Sequence, residues 1–411
     1  MSKYLKLFET TSQYNEYITS IDVVLPNVSV AKDALTTVYF NPYDYSEDYL
    51  TLSALEDGEI TITIPSDVNA THATYLSYSK DKSNWVETTI DSTNQTITIP
   101  VSAGEDVYLK GEAKQWSVNT YTMYSMNINS TANIIVSSNI MSLLYGDDFK
   151  DKTAFSEGAV YVFRNLFQNN THLINAENLI LPATTLTKGC YREMFHGCTA
   201  LTTAPELPAT TLENYCYYGM FQGCTSLTTA PELPATTLAD WCYGGMFNDC
   251  TSLATAPELT ATTLKMYCYD AMFQNCTALT TAPALSATTL ADWCCSSMLR
   301  DCTSLTTAPE LPATTLANYC YQDMFYGCTS LTTAPELPAN TLANYCYSEM
   351  FRRCTSLNNI TMLATTITAS NCLNYWVFGV PSTGTFTKAA SMTSLPTGDS
   401  GIPSGWTVID K

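Results

Sequence analysis

The residues of this chain with the most chemistry in them keep strict time. One cysteine recurs at Cys190, Cys216, Cys242, Cys268, Cys294, Cys320, Cys346 and Cys372. A second follows at Cys198, Cys224, Cys250, Cys276, Cys302, Cys328 and Cys354. The C-x7-C spacing lacks the C-x2–4-C pattern of structural zinc, and His72, His172 and His196 stand in no ligand motif, so no metal is expected. A bridge within each repeat (Cys216 to Cys224 and its equivalents) is one reading. Two ladders of buried, reduced thiols acting as small apolar residues is the one the regular spacing favours. Cys295 stands beside Cys294 where other repeats have tyrosine. With no histidine near it in sequence to lower its pKa, it reads as a packing residue.

Two further columns could bind a ligand. Glutamates recur at Glu206, Glu232, Glu258, Glu310 and Glu336, broken by Ala284, with Glu177 in a degenerate first repeat. Like charges on neighbouring strands repel, so the row is either a solvated, aggregation-resistant face or a site for cations or hydroxyl-rich glycans. Aromatics recur at Tyr215, Trp241, Tyr267, Trp293, Tyr319 and Tyr345. They could stack on sugar rings or simply pack between repeats. The five glutamates with Trp241 and Trp293 are the candidate ligand-binding residues. Threonine pairs such as Thr202-Thr203 and Thr228-Thr229 read as hydrogen-bonded polar ladders. No nucleophile elbow, zincin helix, phosphate loop or dinucleotide fingerprint occurs, so neither catalysis nor a cofactor is expected. A glycan-active enzyme would need two carboxyls at a defined separation in a cleft.

These columns exist because the stretch Cys216–Leu238, CYYGMFQGCTSLTTAPELPATTL, returns almost unchanged every 26 residues. A fixed period of that length marks a solenoid, whose coils bury their apolar faces only by stacking. At 100° per residue Leu212, Cys216 and Met220 share one face, so the spacing predicts a short helix over Leu212–Cys224, with Asn214, Tyr218 and Gln222 outward. The Pro-interrupted LTTAPEL that follows reads as one parallel strand per coil, with Leu227, Ala230 and Leu233 inward. The expected fold is therefore an α/β solenoid of 26-residue coils, parallel strands plus short helices.

The rest of the chain is read around that array. Residues 1–48 form a short mixed unit: a capping box at Thr10 and Gln13, then strand candidates Asp22–Val30 and Thr36–Phe40. Too small to stand alone, it is expected to dock. Residues 49–118 alternate as a small β-sandwich, with Ile60, Ile62 and Ile64 on one face. Residues 119–162 are the N-terminal cap, 163–372 the solenoid, and the Pro/Gly/Ser-rich 373–411 the C-terminal cap, with Trp376 and Trp406 available to cover the last coil. Charged residues are only 14% of the 411, and the formal charge is −20. That balance argues against nucleic acid and against anionic membrane surfaces. No apolar run reaches a membrane span, and MSKYLKLFETTSQYNEYI lacks a signal-peptide core.

The unit "MF.GCTSLT..PELPATTL..YCY" resembles the BspA-type leucine-rich repeats of surface proteins in gut Bacteroidales and their phages. Phe221, Gly223, Cys224, Ser226, Leu227 and Pro231 carry the likeness, and NIMSLLYGDDF and SGIPSGWTV look like that group's caps. The opening KYLKLFETTSQYNEYI…LPNVS is similar to a leader of Bacteroidales phage virion proteins. The resemblance implies adhesion or recognition and supplies no residue-level site. It implies a fibre, appendage or capsid-decorating protein on the virion surface, assembled in the host cytoplasm. Residues 1–48 would meet other virion proteins and the solenoid a host surface protein or glycan. By analogy with fibres, a homo-oligomer, trimeric, is expected. The alternative is a bacterial cell-surface adhesin.

Overall fold

The computed structural model describes residues 5–6, 39–40, 44–63, 74–90, 96–112 and 126–411. β1 (Leu5–Lys6) pairs antiparallel with β2 (Tyr39–Phe40). The capping box at Thr10 and Gln13 and the strand candidate Asp22–Val30 lie outside the described residues.

Two sheets follow. β3 (Leu50–Ala54), β5 (Thr74–Ser79), β6 (Val86–Ile90) and β8 (Asp106–Glu112) join β10 (Ile134–Asn139) in the order β10-β3-β8-β5-β6. β4 (Gly58–Thr63) sits between β7 (Thr96–Val101) and β9 (Asn127–Ser130). The period-two alternation has its expected effect, since Ile60, Ile62, Ile99, Val107 and Leu109 are buried. β9 and β10 come from the stretch read as the solenoid's cap. β10 runs antiparallel to β3 on one side and parallel to β11 (Leu173–Asn175) and β12 (Leu179–Ile180) on the other. The sheet thus passes directly into the first coil, and one hydrophobic core runs from Leu50 to Trp406.

From β11 onward the chain forms a parallel-strand solenoid with coils of about 26 residues. The predicted helix over Leu212–Cys224 is not there. Among the described residues the only α-helix is α1 (Ser142–Tyr145), ahead of the coils. In its place each coil has a ribbon of linked turns. The N–H groups of Cys216, Tyr218, Met220, Gln222 and Cys224 each donate to the carbonyl three residues back. Those of Tyr215, Tyr217, Gly219, Phe221 and Gly223 donate forward, to Asp240, Cys242, Gly244, Met246 and Asn248 of the next coil, at 2.8–3.1 Å. Positive φ at Tyr215 (63°), Gly219 (58°) and Gly223 (73°) closes every second turn, as a type II turn requires. The resulting period is four residues, two in and two out. Cys216, Tyr217, Met220, Phe221 and Cys224 are all buried.

The other side of each coil is extended. β13 (Thr333–Leu337), β14 (Asn359–Met362), β15 (Thr385–Lys388) and β16 (Thr407–Asp410) form a parallel sheet. Earlier coils meet through single bridges, such as Thr229 to Thr255 and Thr211 to Thr237. Proline in the middle of the segment removes the donor that would extend each ladder. Leu227 and Leu233 face in as expected, while Ala230 is only half-buried.

Stacking fills the interior. Phe167, Phe195, Phe221, Phe247 and Phe273 lie 5.4–5.7 Å apart and within 10° of parallel. Tyr191, Tyr217, Tyr243 and Tyr269 form a second column at 5.9–6.2 Å. All sixteen cysteines are free thiols. The second thiol column has a defined partner: the S–H of Cys224 donates to the carbonyl of Phe195 at 3.1 Å, and Cys250 repeats this to Phe221. A small apolar residue with one weak donor suits the place. Burial raises the Cys242 and Cys302 thiols to about 12, so they are held as S–H.

The first coil has β9 behind it rather than another coil, and there Asn170 replaces the cysteine. Its amide donates to the Ile128 carbonyl at 3.3 Å and its oxygen accepts from Ser130 and the His172 N–H, both at 3.1 Å. Asn170→Ala would strand these buried groups, a loss of about 2–3 kcal/mol. Asn170→Cys should not restore it, because a thiol offers one donor where three bonds are made. Urea unfolding of both variants tests this; equal stability of Asn170→Cys and the parent protein would contradict it.

Candidate functional site

The extended side carries the predicted carboxylates. Glu206, Glu232, Glu258, Glu310 and Glu336 are all exposed. Bridges between consecutive coils keep register, so glutamates of adjacent coils stand about one strand spacing, ~4.8 Å, apart, with a gap of one coil at Ala284. Glu336 bonds the Lys411 ammonium at 2.6 Å, which relieves charge at the C-terminal end of the row. Among the described residues no three His, Cys, Asp or Glu side chains converge as metal ligands. A shallow, open depression of about 590 Å³ lies between two coils, lined by Thr306, Thr333, Glu310, Glu336, Pro312 and Pro338. Threonine hydroxyls bind this side together: Thr202 donates to the Ile174 carbonyl at 3.0 Å and Thr306 to that of Thr280 at 3.1 Å.

The structure places the aromatic column at the edge of the turn ribbon and spends its ring faces on one another. Trp241 lies 3.8 Å from Tyr267, Trp293 3.9 Å from Tyr319, and Tyr319 4.5 Å from Tyr345, all within 12° of parallel. The column is half-buried, and what Trp241 and Trp293 present outward is ring edge, not the bare face a sugar needs. It is also the site of positive φ, 61° at Trp241 and 62° at Trp293. Bulky residues in that region are uncommon, and the stacked rings are what hold them there.

Sequence reasoning did not single out the polar groups on the ribbon's outer side. Arg300 lies over the Tyr326 ring at 4.1 Å and pairs with Asp323 at 3.6 Å; Arg352 pairs with Glu349 at 2.8 Å. Arg192 covers Tyr218 at 4.8 Å and pairs with Glu193 at 3.0 Å. Burial pushes the Asp323 carboxyl up to about 6, against the pull of the Arg300 guanidinium. Burial likewise pushes Asp270 up to about 7, only partly offset by the Ser296 hydroxyl.

Asp270 yields a pH prediction. Its folded pKa lies above the unfolded one, so between about pH 4 and 7 the unfolded chain ionises while the folded one resists. Stability therefore falls as pH rises through that window and levels off above it. Asp270→Asn should match the parent protein at pH 4 and be more stable by about 1–3 kcal/mol at pH 8. Thermal melts at the two pH values check it; an equal difference at both would be the wrong outcome.

The signal for this polar face was in the repeats themselves. The outward columns at 218 and 222 change residue in nearly every coil, whereas the core columns do not. No helix among the described residues is long and apolar enough to cross a membrane. No protein-family model, curated protein or solved structure matches the chain.

Proposed function

We propose that this chain is a structural virion protein of a Bacteroidales phage, a fibre, appendage or capsid-decorating protein. Its solenoid, of the BspA-type leucine-rich-repeat kind, would present a recognition surface to a host-cell protein or glycan. One observation carries the reading: the C-T-x-L coil, G-C-x-S-L at Gly223–Leu227 and Gly327–Leu331, recurs in a 26-residue solenoid joined through β10 to a two-sheet unit, with residues 1–48 ahead of it. The charge of −20 and the even, exposed glutamate row favour display over nucleic-acid binding. Sixteen free, buried thiols suit synthesis in a reducing compartment. In this reading residues 1–48 hold the chain on the particle, as a homotrimer, and the coils project outward.

The test is mass spectrometry with cryo-electron microscopy of purified particles from the source culture. The chain should be stoichiometric in them, with residues 1–48 against another virion protein. Recovery only from cell envelopes would replace this reading with that of a bacterial surface adhesin.

A further inference from the structure

The two outer sides of the solenoid differ in a way that exposure does not explain. On the extended side Thr229, Thr255, Thr281, Thr307 and Thr333 are exposed and constant, and the column changes only at its ends, to Asn175 and Asn359. On the ribbon side the equivalent positions Arg192, Tyr218, Gly244, Asp270, Ser296 and Gln322 are half-buried or buried, and all six differ. Backbone bridges such as Thr229 to Thr255 and Thr281 to Thr307 hold that column in register. Across the varied columns residue types scatter, with one regularity, the choice of cation.

All five arginines of the chain, Arg164, Arg192, Arg300, Arg352 and Arg353, stand on this side; of its thirteen lysines, Lys188 and Lys265 lie at the start of a ribbon and none in the columns of Tyr218, Gln222 and Gly223. Arginine and aromatics together mark the centres of protein interfaces, and lysine is depleted there. The backbone points the same way. Gly219 and Gly245 show that glycine fits the third residue of the turn, yet Ala271 (51°), Ser297 (52°), Glu349 (55°) and Tyr375 (47°) hold positive φ with side chains. Such strain persists where the side chain is wanted. At the C-terminal end Tyr375 and Phe378 are 47% and 40% exposed, with Arg352 5.1 Å over the Phe378 ring.

We infer that the recognition surface is this turn-ribbon face, not the threonine–glutamate face, and that its occupant is a folded protein surface with both acidic and apolar side chains. The inference rests on the display reading above. A polyanion would require a net positive field, but Glu193, Asp323 and Glu349 offset the arginines. A neutral glycan would require bare ring faces, but guanidinium groups cover those of Tyr326 and Phe378. A mixed-charge, arginine- and aromatic-rich surface is complementary to another protein.

The full-length chain, fluorescently labelled, is titrated onto intact cells from a panel of gut Bacteroidales strains. Parallel samples are shaved with proteinase K or oxidised with periodate. Arg353→Glu with Phe378→Ala should lower binding at least tenfold, and the milder Arg353→Ser, should the double variant melt early, severalfold. Thr229→Lys with Thr255→Lys and Thr281→Lys should leave it unchanged. Binding should vanish on proteinase treatment and survive periodate. Loss of binding in the threonine-face variant alone moves the surface to the other side and overturns the inference while display stands. Loss on periodate but not on proteinase overturns the protein occupant. A parent chain that labels no strain overturns the display reading, and this inference with it.

Discussion

A protein lacking residues 240–265 is expected to fold one coil shorter, with its near-parallel ring columns intact. The cut joins Ala239 to Met266, which occupies the place of Asp240 in its coil. The Tyr215 N–H, which donates to the Asp240 carbonyl at 3.1 Å, then meets the Met266 carbonyl, and the other four forward donors shift by one coil in the same way. A second deletion, of residues 240–252, separates period from length. It removes one turn ribbon and leaves that coil's extended half. Those five N–H groups would be stranded, at about 1–3 kcal/mol each, a loss as large as a domain's whole margin of about 5–15 kcal/mol. The chain escapes only by stacking the next ribbon in place and expelling residues 253–265 as a loop. Limited proteolysis should cut the shorter deletion within that loop and leave the whole-coil deletion intact. Equal resistance of the two would mean that the 26-residue register is not what holds the array.

The second large effect is at the C-terminal cap. Trp376 stands where earlier coils have methionine and is fully buried. Its ring lies 6.0 Å from Phe351 and 6.1 Å, edge-on, from Phe386, and its indole N–H donates to the Gly401 carbonyl at 2.8 Å. It therefore ends the stacked core and ties the tail across it. Trp376→Ala is expected to cost about 3–5 kcal/mol, the range for emptying a buried aromatic site. In a structure where each coil touches only its neighbours, that loss is local before it is global. Hydrogen exchange should show the coils after residue 346 losing protection first, while those around Cys198 keep it. Uniform loss along the chain would contradict nearest-neighbour coupling.

What could be read beforehand follows from which property sets each feature. Period, inward leucines and the buried thiol columns are consequences of apolar spacing, and spacing is written in the residues. The turn ribbon is different. Leu212, Cys216 and Met220, four apart, fit a period of 4, and a period of 3.6 also keeps them on one face within about 80°. Gly219 and Gly223, four apart, were the clue to positive φ, but Trp241 and Trp293 in the same conformation give no such sign, because ring stacking between coils overrides local preference. The candidate site divides in the same way. Exposure of the glutamate row follows from strand alternation. Stacking of the aromatic faces on one another depends on the coil rise. The gathering of the arginines appears only once the ribbon shows which columns face outward.

The forward direction of the ribbon's hydrogen bonds also sets an order of events at the ribosome. In the ribbons from Tyr215 on, alternate N–H groups wait for a carbonyl about 25 residues downstream, as Phe221 waits for Met246. A newly made coil is therefore unfinished until its successor emerges, a delay of a few seconds at translation rates of ~5–20 residues per second. The two-sheet unit and Asn170 are made first and offer a finished seat to the first coil. The array then closes behind the growing end like a zip, with one open row of donors at its front. The segment that brings Trp376 and Trp406 to the last coil is synthesised after the coils, and its arrival closes the open front of the array.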